Sequence, residues 1–319
     1  MEIIELNRGT GKNPGLAVAL GYFDGLHLGH QALVSDVVEY AKNNGLISAV
    51  MTFSVNPKVY LKRQPDVGLL TPMKEKLAIL RRLGVDRLMV LPFDMDMAQM
   101  LPEDFIQDYL VKQQVRYVAT GPDYCFGNRG AGKVGLLKQY EELFLLNVTP
   151  KMKLQDEKIG TTEIKSYLEA GEVEAASNML GRPYALTGTV IKGNQKGRTI
   201  GFPTANIQVD DTYVLPKSGV YAVETHIGSH RYLGMCNIGH NPTFNFTGRL
   251  SVEVNLFDFD EDIYGKTLRL EFKKYLRSER KFSSIEDLTQ QLRRDRLMAR
   301  VVFDELKVPK AEESMGKKN

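Results

Sequence analysis

Leu16 to Tyr22 (LAVALGY) is an apolar run that breaks at a glycine, and His30 to Ala41 follows with helical periodicity. Leu46 to Phe53 (LISAVMTF) is a second apolar run of strand length. Thr71-Pro72 has the form of an N-cap with proline at the first helical position, opening a helix from Met73 to Leu83. Arg87 to Leu91 reads as the next strand, Pro102 to Lys112 as a helix, and Val115 to Thr120 as a strand. Strands apolar on both faces, alternating with helices, predict a parallel sheet covered by helices. Ligands of such sheets bind beyond the carboxyl ends of the strands.

The pattern changes near residue 183. Helical stretches at Glu163–Ala170 and Val173–Leu180 lead to Gly181-Arg182-Pro183, a natural break. Strand-like runs follow at Ala185–Ile191, Val220–Ile227, Arg231–Ile238, Leu250–Phe257 and Thr267–Phe272, with Gly228-Ser229 as a tight hairpin turn. An amphipathic helix over about Ile285 to Leu306 closes the pattern. Antiparallel strands with one closing helix predict a small β-barrel. The expected domains are therefore 1–182 and 183–308, with 309–319 as a tail.

Composition narrows the class. The chain has 319 residues, so two domains are expected. Hydrophobic residues make up 43% and charged residues 25%, an ordinary globular balance. A net charge of +3 is too small to predict a nucleic-acid partner. No apolar run has the length of a membrane helix, and the first residues lack a secretion-signal pattern. Cys125 and Cys236 share no CxxC spacing, so a reduced, cytoplasmic protein is expected. A homo-oligomer is left open. Of the five histidines, His226 and His230 lie across a predicted hairpin turn and His240 falls in a loop, so no zinc site is expected.

Candidate chemistry begins at GYFDGLHLGHQ, Gly21 to Gln31. A strand ends there, a glycine turn follows, and a helix starts near Gly29-His30. The first turn of a helix offers unpaired N–H groups and the positive end of its dipole, a ready phosphate site. Gly25 and Gly29 let a phosphate approach the backbone, and His27 and His30 can both point at it. Two surface histidines in a loop is the plainer alternative, and two ligands are too few for a metal. GYFDGLHLGH resembles the HxGH signature of the nucleotidylyltransferase superfamily. The resemblance implies that His27 and His30 stabilise charge on the ATP α-phosphate while an acceptor phosphate attacks. It also places Gly21, Phe23, Asp24, Gly25 and Gly29 around ATP.

GNQKGRTIGFPTANI, Gly193 to Ile207, is similar to the glycine-rich loop and PTAN motif of riboflavin kinases. Gly193, Gly197 and Gly201 permit a backbone wrap around phosphates, with Pro203 in the motif, and Lys196 and Arg198 add charge. Thr204 and Asn206 offer oxygen ligands suited to Mg²⁺ on ATP. NIGHNPTF (Asn237 to Phe244) and SVEVNLFDFDEDIYG (Ser251 to Gly265) match the same family. Strand alternation sends Val252 and Val254 one way and Glu253 the other. By resemblance Glu253 is the general base for the riboflavin 5′-hydroxyl; without it, a solvent-facing strand residue is the plainer reading. LRSERKFSSIEDLTQQLRRDRLMAR, Leu276 to Arg300, resembles the family's closing segment near the flavin, which brings in Arg277 and Arg280.

Both halves, in order, resemble the bacterial bifunctional riboflavin kinase/FMN adenylyltransferases, over about residues 15 to 305. The implied fold is a Rossmann-like nucleotidylyltransferase domain, then a riboflavin kinase barrel with a C-terminal helix. The implied substrates are ATP with riboflavin and ATP with FMN, with Mg²⁺ serving both. Gly121 to Gly132 (GPDYCFGNRGAG) matches the second adenylyltransferase motif, with Asp123 and Phe126 as flavin contacts. The P-loop look-alike GNRGAGKV in that stretch lacks the Mg²⁺-binding hydroxyl, Val134 standing in its place.

The first half departs from the family pattern. TFSVNP puts Asn56 where a histidine is expected, and IGTTEIK (Ile159 to Lys165) replaces ISSTxIR. Thr161 and Thr162 keep hydroxyls for the phosphates, Gly160 has none, and Lys165 keeps charge without a planar fork. Two rivals follow: a monofunctional riboflavin kinase with an impaired adenylyltransferase domain, and a flavin-binding regulator. A regulator needs neither a base nor a Mg²⁺ ligand pair, so turnover separates it from an enzyme.

Overall fold

A computed structural model describes residues 1–6, 14–61, 68–193, 196–210, 212–239 and 250–307. It divides into two compact units, residues 1–163 with 179–181, and residues 164–178 with 182 onward.

The first unit is built on strands β1 (Glu2–Glu5), β2 (Leu16–Leu20), β3 (Ile47–Phe53), β4 (Arg87–Leu91), β5 (Val115–Thr120) and β6 (Leu145–Val148). They form one parallel sheet in the order β1-β4-β3-β2-β5-β6. Helix α1 (Leu28–Asn44) connects β2 to β3, and α2 (Met73–Arg82) precedes β4. Every residue of β2 is buried, because helices cover both faces of the sheet. Leu16, Val18 and Leu20 face a cluster with Phe105, Ile106 and Tyr109. Ala17 and Ala19 face Leu33, Val34 and Val37 of α1 and Ile79 and Leu80 of α2. The chain moves one way from β2 to β3 and β4, then returns to β2's other side for β5. That reversal opens a crevice at the carboxyl ends of β2 and β5, where His27 and His30 follow β2.

Two of the expected helices differ in detail from the pattern reading. Pro72, with no side-chain cap hydrogen bond, precedes α2 at the N-cap position, and Thr71 is buried. The segment after Pro102 begins as an α-helix at Pro102–Phe105 and widens to a π-helix at Ile106–Val111.

Helices α3 (Thr161–Ala170) and α4 (Val173–Leu180) precede the barrel strands and lie mostly in the second unit, the first residues of α3 and the last two of α4 belonging to the first. The barrel strands are β7 (Ala185–Ile191), β8 (Ala205–Val209), β9 (Gly219–Ile227), β10 (His230–Gly239), β11 (Ser251–Leu256) and β12 (Thr267–Arg277). The barrel closes in the order β7-β8-β11-β10-β9-β12, every neighbour antiparallel, which leaves no free sheet edge. Helix α5 (Ile285–Lys307) packs Ala299, Val302 and Phe303 against Phe202, Val220, Ala222, Met235 and Phe257. His240, most of the NIGHNPTF stretch and the tail 309–319 lie outside the described residues.

The helix pair is fastened to the barrel unit. Lys217 N–H donates to the Leu168 carbonyl at 2.9 Å, and Tyr184 N–H donates to Ser177 Oγ at 3.1 Å. A fragment beginning at residue 161 is therefore expected to unfold at a higher temperature than one beginning at residue 183. Two such hydrogen bonds are worth about 2 kcal/mol, or about 4–8 °C for a unit of this size. Calorimetry of the two fragments checks this, and coincident midpoints would show that the helix pair adds no stability.

Candidate functional site

Between β2 and α1 the backbone makes a sharp turn. Phe23 and Leu26 hold left-handed φ of 55° and 42°, rare for residues with a Cβ, and Gly25 between them has φ 87°. Several hydrogen bonds hold this turn. The Tyr22 carbonyl accepts from Thr52 Oγ1 at 2.9 Å and from Lys76 Nζ at 2.8 Å. The buried Asp24 carboxylate accepts from the Leu70 and Thr71 N–H groups at 2.9 and 3.1 Å. Thr161 Oγ1 donates to the Asp24 carbonyl at 3.1 Å. Asp24 thus shapes the turn rather than facing outward.

His27 is the N-cap of α1, and its Nδ1 accepts from the His30 N–H at 3.3 Å, so a neutral His27 carries its proton on Nε2. The two imidazoles stack with centroids 3.7 Å apart, and His30 meets the edge of Phe23 at 5.2 Å. Burial, then the neighbouring His27 and Lys76, hold the His30 pKa well below the ordinary histidine range. His30 Nδ1 is buried without a hydrogen-bond partner among the described residues. A neutral, stacked pair at a helix N-terminus can donate N–H groups to an anion. Gly29 lies beside the His27 ring, where an added Cβ would sit 3.4 Å away, and a Cβ on Gly21 would meet the Phe23 ring at 3.0 Å.

Thr161 and Thr162 open α3, with Thr162 exposed; Lys165 lies one turn on, in the second unit. Asn56 caps the helical turn Pro57–Tyr60, its Oδ1 accepting from the Lys58 N–H at 3.0 Å. Asp123 is exposed and paired with Lys151 at 2.6 Å, which lowers its pKa. Phe126 is 3% exposed, its ring against Phe105 and over Gly132, so it anchors the hairpin Cys125–Phe126/Gly132–Lys133 from inside the core.

Two cavities of the second unit border the motif residues. One, of about 600 Å³, has an apolar wall of Ile200, Phe202, Val220, Met235, Phe282, Leu288 and Leu292. Thr204, Asn237, Glu253, Asn255, Arg277 and Arg280 supply its polar groups. The other, of about 650 Å³, is lined by Val190, Arg198, Pro203, Thr204, Phe259, Asp260, Glu261, Asp262 and Tyr264. Thr204 belongs to both. Register places Glu253 of β11 directly between Asn206 of β8 and Asn237 of β10, while Val252 and Val254 are buried, as strand alternation predicts.

Glycines in the first half of the loop answer to contact. A Cβ on Gly193 would lie 2.1 Å from Asn206 Nδ2, and one on Gly197 2.2 Å from the Phe202 carbonyl oxygen. Gly201 has φ 78°. Lys196 and Arg198 fall in the helical turn Lys196–Thr199, and Arg198 is exposed. Arg277 is gripped by the fully buried Asp295, with Nε at 2.9 Å and Nη2 at 2.7 Å from its carboxylate oxygens. Gln291 Nε2 donates to Asp295 Oδ1 at 2.7 Å, and Gln291 Oε1 accepts from Arg280 Nη2 at 2.6 Å.

Sequence reasoning missed Lys76, Asn237, Asn255, Gln291 and Asp295. Asn255 shares the two-residue strand spacing of Glu253, which is the one signal that pointed to it. Among the described residues, Glu224, His226 and Glu271 form a group with metal-ligand geometry. Lys273 lies 3.3 Å from Glu224 and 2.9 Å from Glu271, and Arg231 3.3 Å from Glu224, so both carboxylates already have cations.

Comparison with known proteins agrees across the chain. A family model described as FAD synthetase matches residues 10–163, and one described as riboflavin kinase matches residues 180–303. The bifunctional riboflavin kinase/FMN adenylyltransferase of Listeria monocytogenes is 40% identical over 291 residues, 91% of this chain and 93% of that protein. Its Bacillus subtilis counterpart is 39% identical over 294 residues, 91% and 93% of the two chains. A crystal structure described as a macrolide-efflux protein from Streptococcus pneumoniae superposes with a TM-score of 0.86 at 32% identity, covering 94% of this chain and 99% of that one. Among the described residues no helix is long and apolar enough to cross a membrane. Matched in order by both family models and by relatives along nearly its whole length, the chain belongs to the family of bifunctional riboflavin kinase/FMN adenylyltransferases.

Proposed function

We propose that the chain phosphorylates riboflavin to FMN with ATP, and adenylylates FMN to FAD with release of pyrophosphate. The kinase is assigned to residues 183–308 and the adenylyltransferase to residues 1–182. The observation that carries the kinase reading is Thr204 in the wall common to two cavities. The apolar cavity suits the flat, hydrophobic flavin ring, and the polar one suits a nucleotide. Glu253, in the flavin cavity, takes the proton from the riboflavin 5′-hydroxyl as that oxygen attacks the γ-phosphorus and ADP leaves. Gly193, Lys196, Gly197, Arg198, Gly201 and Pro203 are assigned to the phosphates, and Arg277 and Arg280 to the flavin.

Mg²⁺ fits the donor set. The Thr204 hydroxyl and the Asn206 amide oxygen are hard ligands, and the Gly193 backbone packs so closely on the Asn206 amide that a Cβ there would meet Nδ2 at 2.1 Å, which holds that side chain in place. When bound there, the ion would neutralise phosphate charge, held by Thr204 and Asn206. In the first unit, an FMN phosphate oxygen attacks the ATP α-phosphorus and pyrophosphate departs. His27 and His30 donate N–H groups to the charge that develops, assisted by the α1 N-terminus. Gly21, Phe23, Gly25 and Gly29 form the approach to ATP, Thr161 and Thr162 take its outer phosphates, and Asp123 is assigned to the flavin; Lys165 is assigned to the phosphates by family resemblance alone. Asp24 and Phe126 serve these contacts through the backbone they hold.

Glu253→Gln keeps the shape and removes the base, so FMN formation is expected to fall by about 10²–10⁴-fold. FAD formation from supplied FMN is expected to stay unchanged. Product chromatography from riboflavin plus ATP-Mg²⁺, and from FMN plus ATP-Mg²⁺, reads both. Loss of both activities with the fold intact would contradict the division of labour.

Asn56→His with Lys165→Arg restores the family residues. Regaining a charged ring and a bidentate fork is expected to raise FAD output by about 10–100-fold, at 1.4 kcal/mol per decade, leaving FMN formation unaltered. Steady-state rates of both products check this. No FAD before or after the restoration would leave the kinase alone standing.

A further inference from the structure

Helix α2 buries Lys76 together with Ile79 and Leu80, while Lys74 is exposed. Lys76 is 3% exposed, and an ammonium is costly to bury unless something compensates for its lost water. Its Nζ donates to the Tyr22 carbonyl at 2.8 Å and lies 4.7 Å from the centre of the Tyr22 ring. The next residue, Phe23, begins the left-handed stretch of the turn at φ 55°. Asp24, one further, accepts from Leu70 and Thr71, which lead directly into α2. The α2 region therefore grips the turn twice, once by a buried cation on a carbonyl and once by backbone N–H groups on a carboxylate.

We propose that Lys76 is a positioning residue for adenylyl transfer: its buried ammonium ties the turn between β2 and α1 to helix α2, and so sets the place and charge of the histidine pair. This rests on the adenylyltransferase reading above. The groups that bear on its charge are Asp24 on the turn and His30 on α1, whose ring stacks on His27. Burial lowers the Lys76 pKa to about 8, against the pull of the Asp24 carboxylate. The same ammonium adds to burial and His27 in keeping His30 neutral. Below its pKa Lys76 is charged, and both effects operate. Above it, the carbonyl loses a charged donor and Asp24 loses its countercharge.

The test is the rate of FAD formation from FMN and ATP-Mg²⁺ between about pH 6 and 10, for the wild-type protein, Lys76→Met and Lys76→Arg. FMN formation from riboflavin in the same samples reports an intact protein. The wild-type kcat/KM for ATP is expected to fall above about pH 8, where the free enzyme loses the Lys76 proton. At neutral pH, Lys76→Met is expected to lower kcat by about 10–100-fold through misplacement of the reacting groups, and to lose that alkaline limb. Lys76→Arg keeps the charge, and its limb should move beyond the range. A wild-type profile flat to the alkaline end, or Lys76→Met with wild-type kcat and limb, would overturn the proposal. Should Lys76→Met fail to fold, the wild-type and Lys76→Arg profiles decide it. No FAD from the wild-type protein at any pH would instead sink the adenylyltransferase reading on which the proposal stands.

Discussion

Between Leu20 and Leu28 the chain must leave a buried parallel strand, reverse, and enter a helix whose first turn faces the crevice. It does so through left-handed backbone at Phe23, Gly25 and Leu26. For the two residues with a Cβ this costs about 1–2 kcal/mol each. Hydrogen bonds from Thr52, Lys76, Leu70, Thr71 and Thr161 converge on the turn. At about 1 kcal/mol apiece they offset that strain. The stacking and capping geometry of His27 and His30 follows from this turn, because His27 is both its last residue and the N-cap of α1.

The second unit meets a different constraint. A closed barrel of six strands has no edge on which to hang a site, so its polar residues come from the rim and from one row across the sheet. Asn206, Glu253 and Asn237 form that row on neighbouring strands, and closure fixes their spacing without help from loops. The rim is fixed from α5. A fully buried Asp295 grips Arg277, and Gln291 links Asp295 to Arg280. Two flexible arginines thereby become a defined wall of the apolar cavity.

Most regular elements were legible because burial imposes a period. β4, β5 and β7 occupy the residues their apolar patterns mark, and the barrel follows from the run of short strands. β1 and β6 escaped because each is a sheet-edge strand with exposed or half-buried residues. β8 escaped because its residues were read as part of the PTAN loop motif, although they continue from it as a strand. Motif residues were legible as a set, but their individual roles depended on burial. Asp24 and Phe126 turned out to face inward. Lys76 left no mark in the sequence, since on an amphipathic helix a lysine is usually a solvated residue. Only the fold shows it on the core face of α2.

The central claim is that two chemistries occupy two sets of residues in one chain and communicate through free FMN. Complementation between two variants tests it most directly: His30→Asn and Glu253→Gln, each incubated alone and then together with riboflavin and ATP-Mg²⁺. The account predicts that His30→Asn alone stops at FMN, Glu253→Gln alone converts riboflavin at least about 100-fold more slowly than wild type, and the mixture accumulates FAD. FAD from riboflavin with the His30→Asn protein alone, or FMN from the Glu253→Gln protein at the wild-type rate, would contradict it.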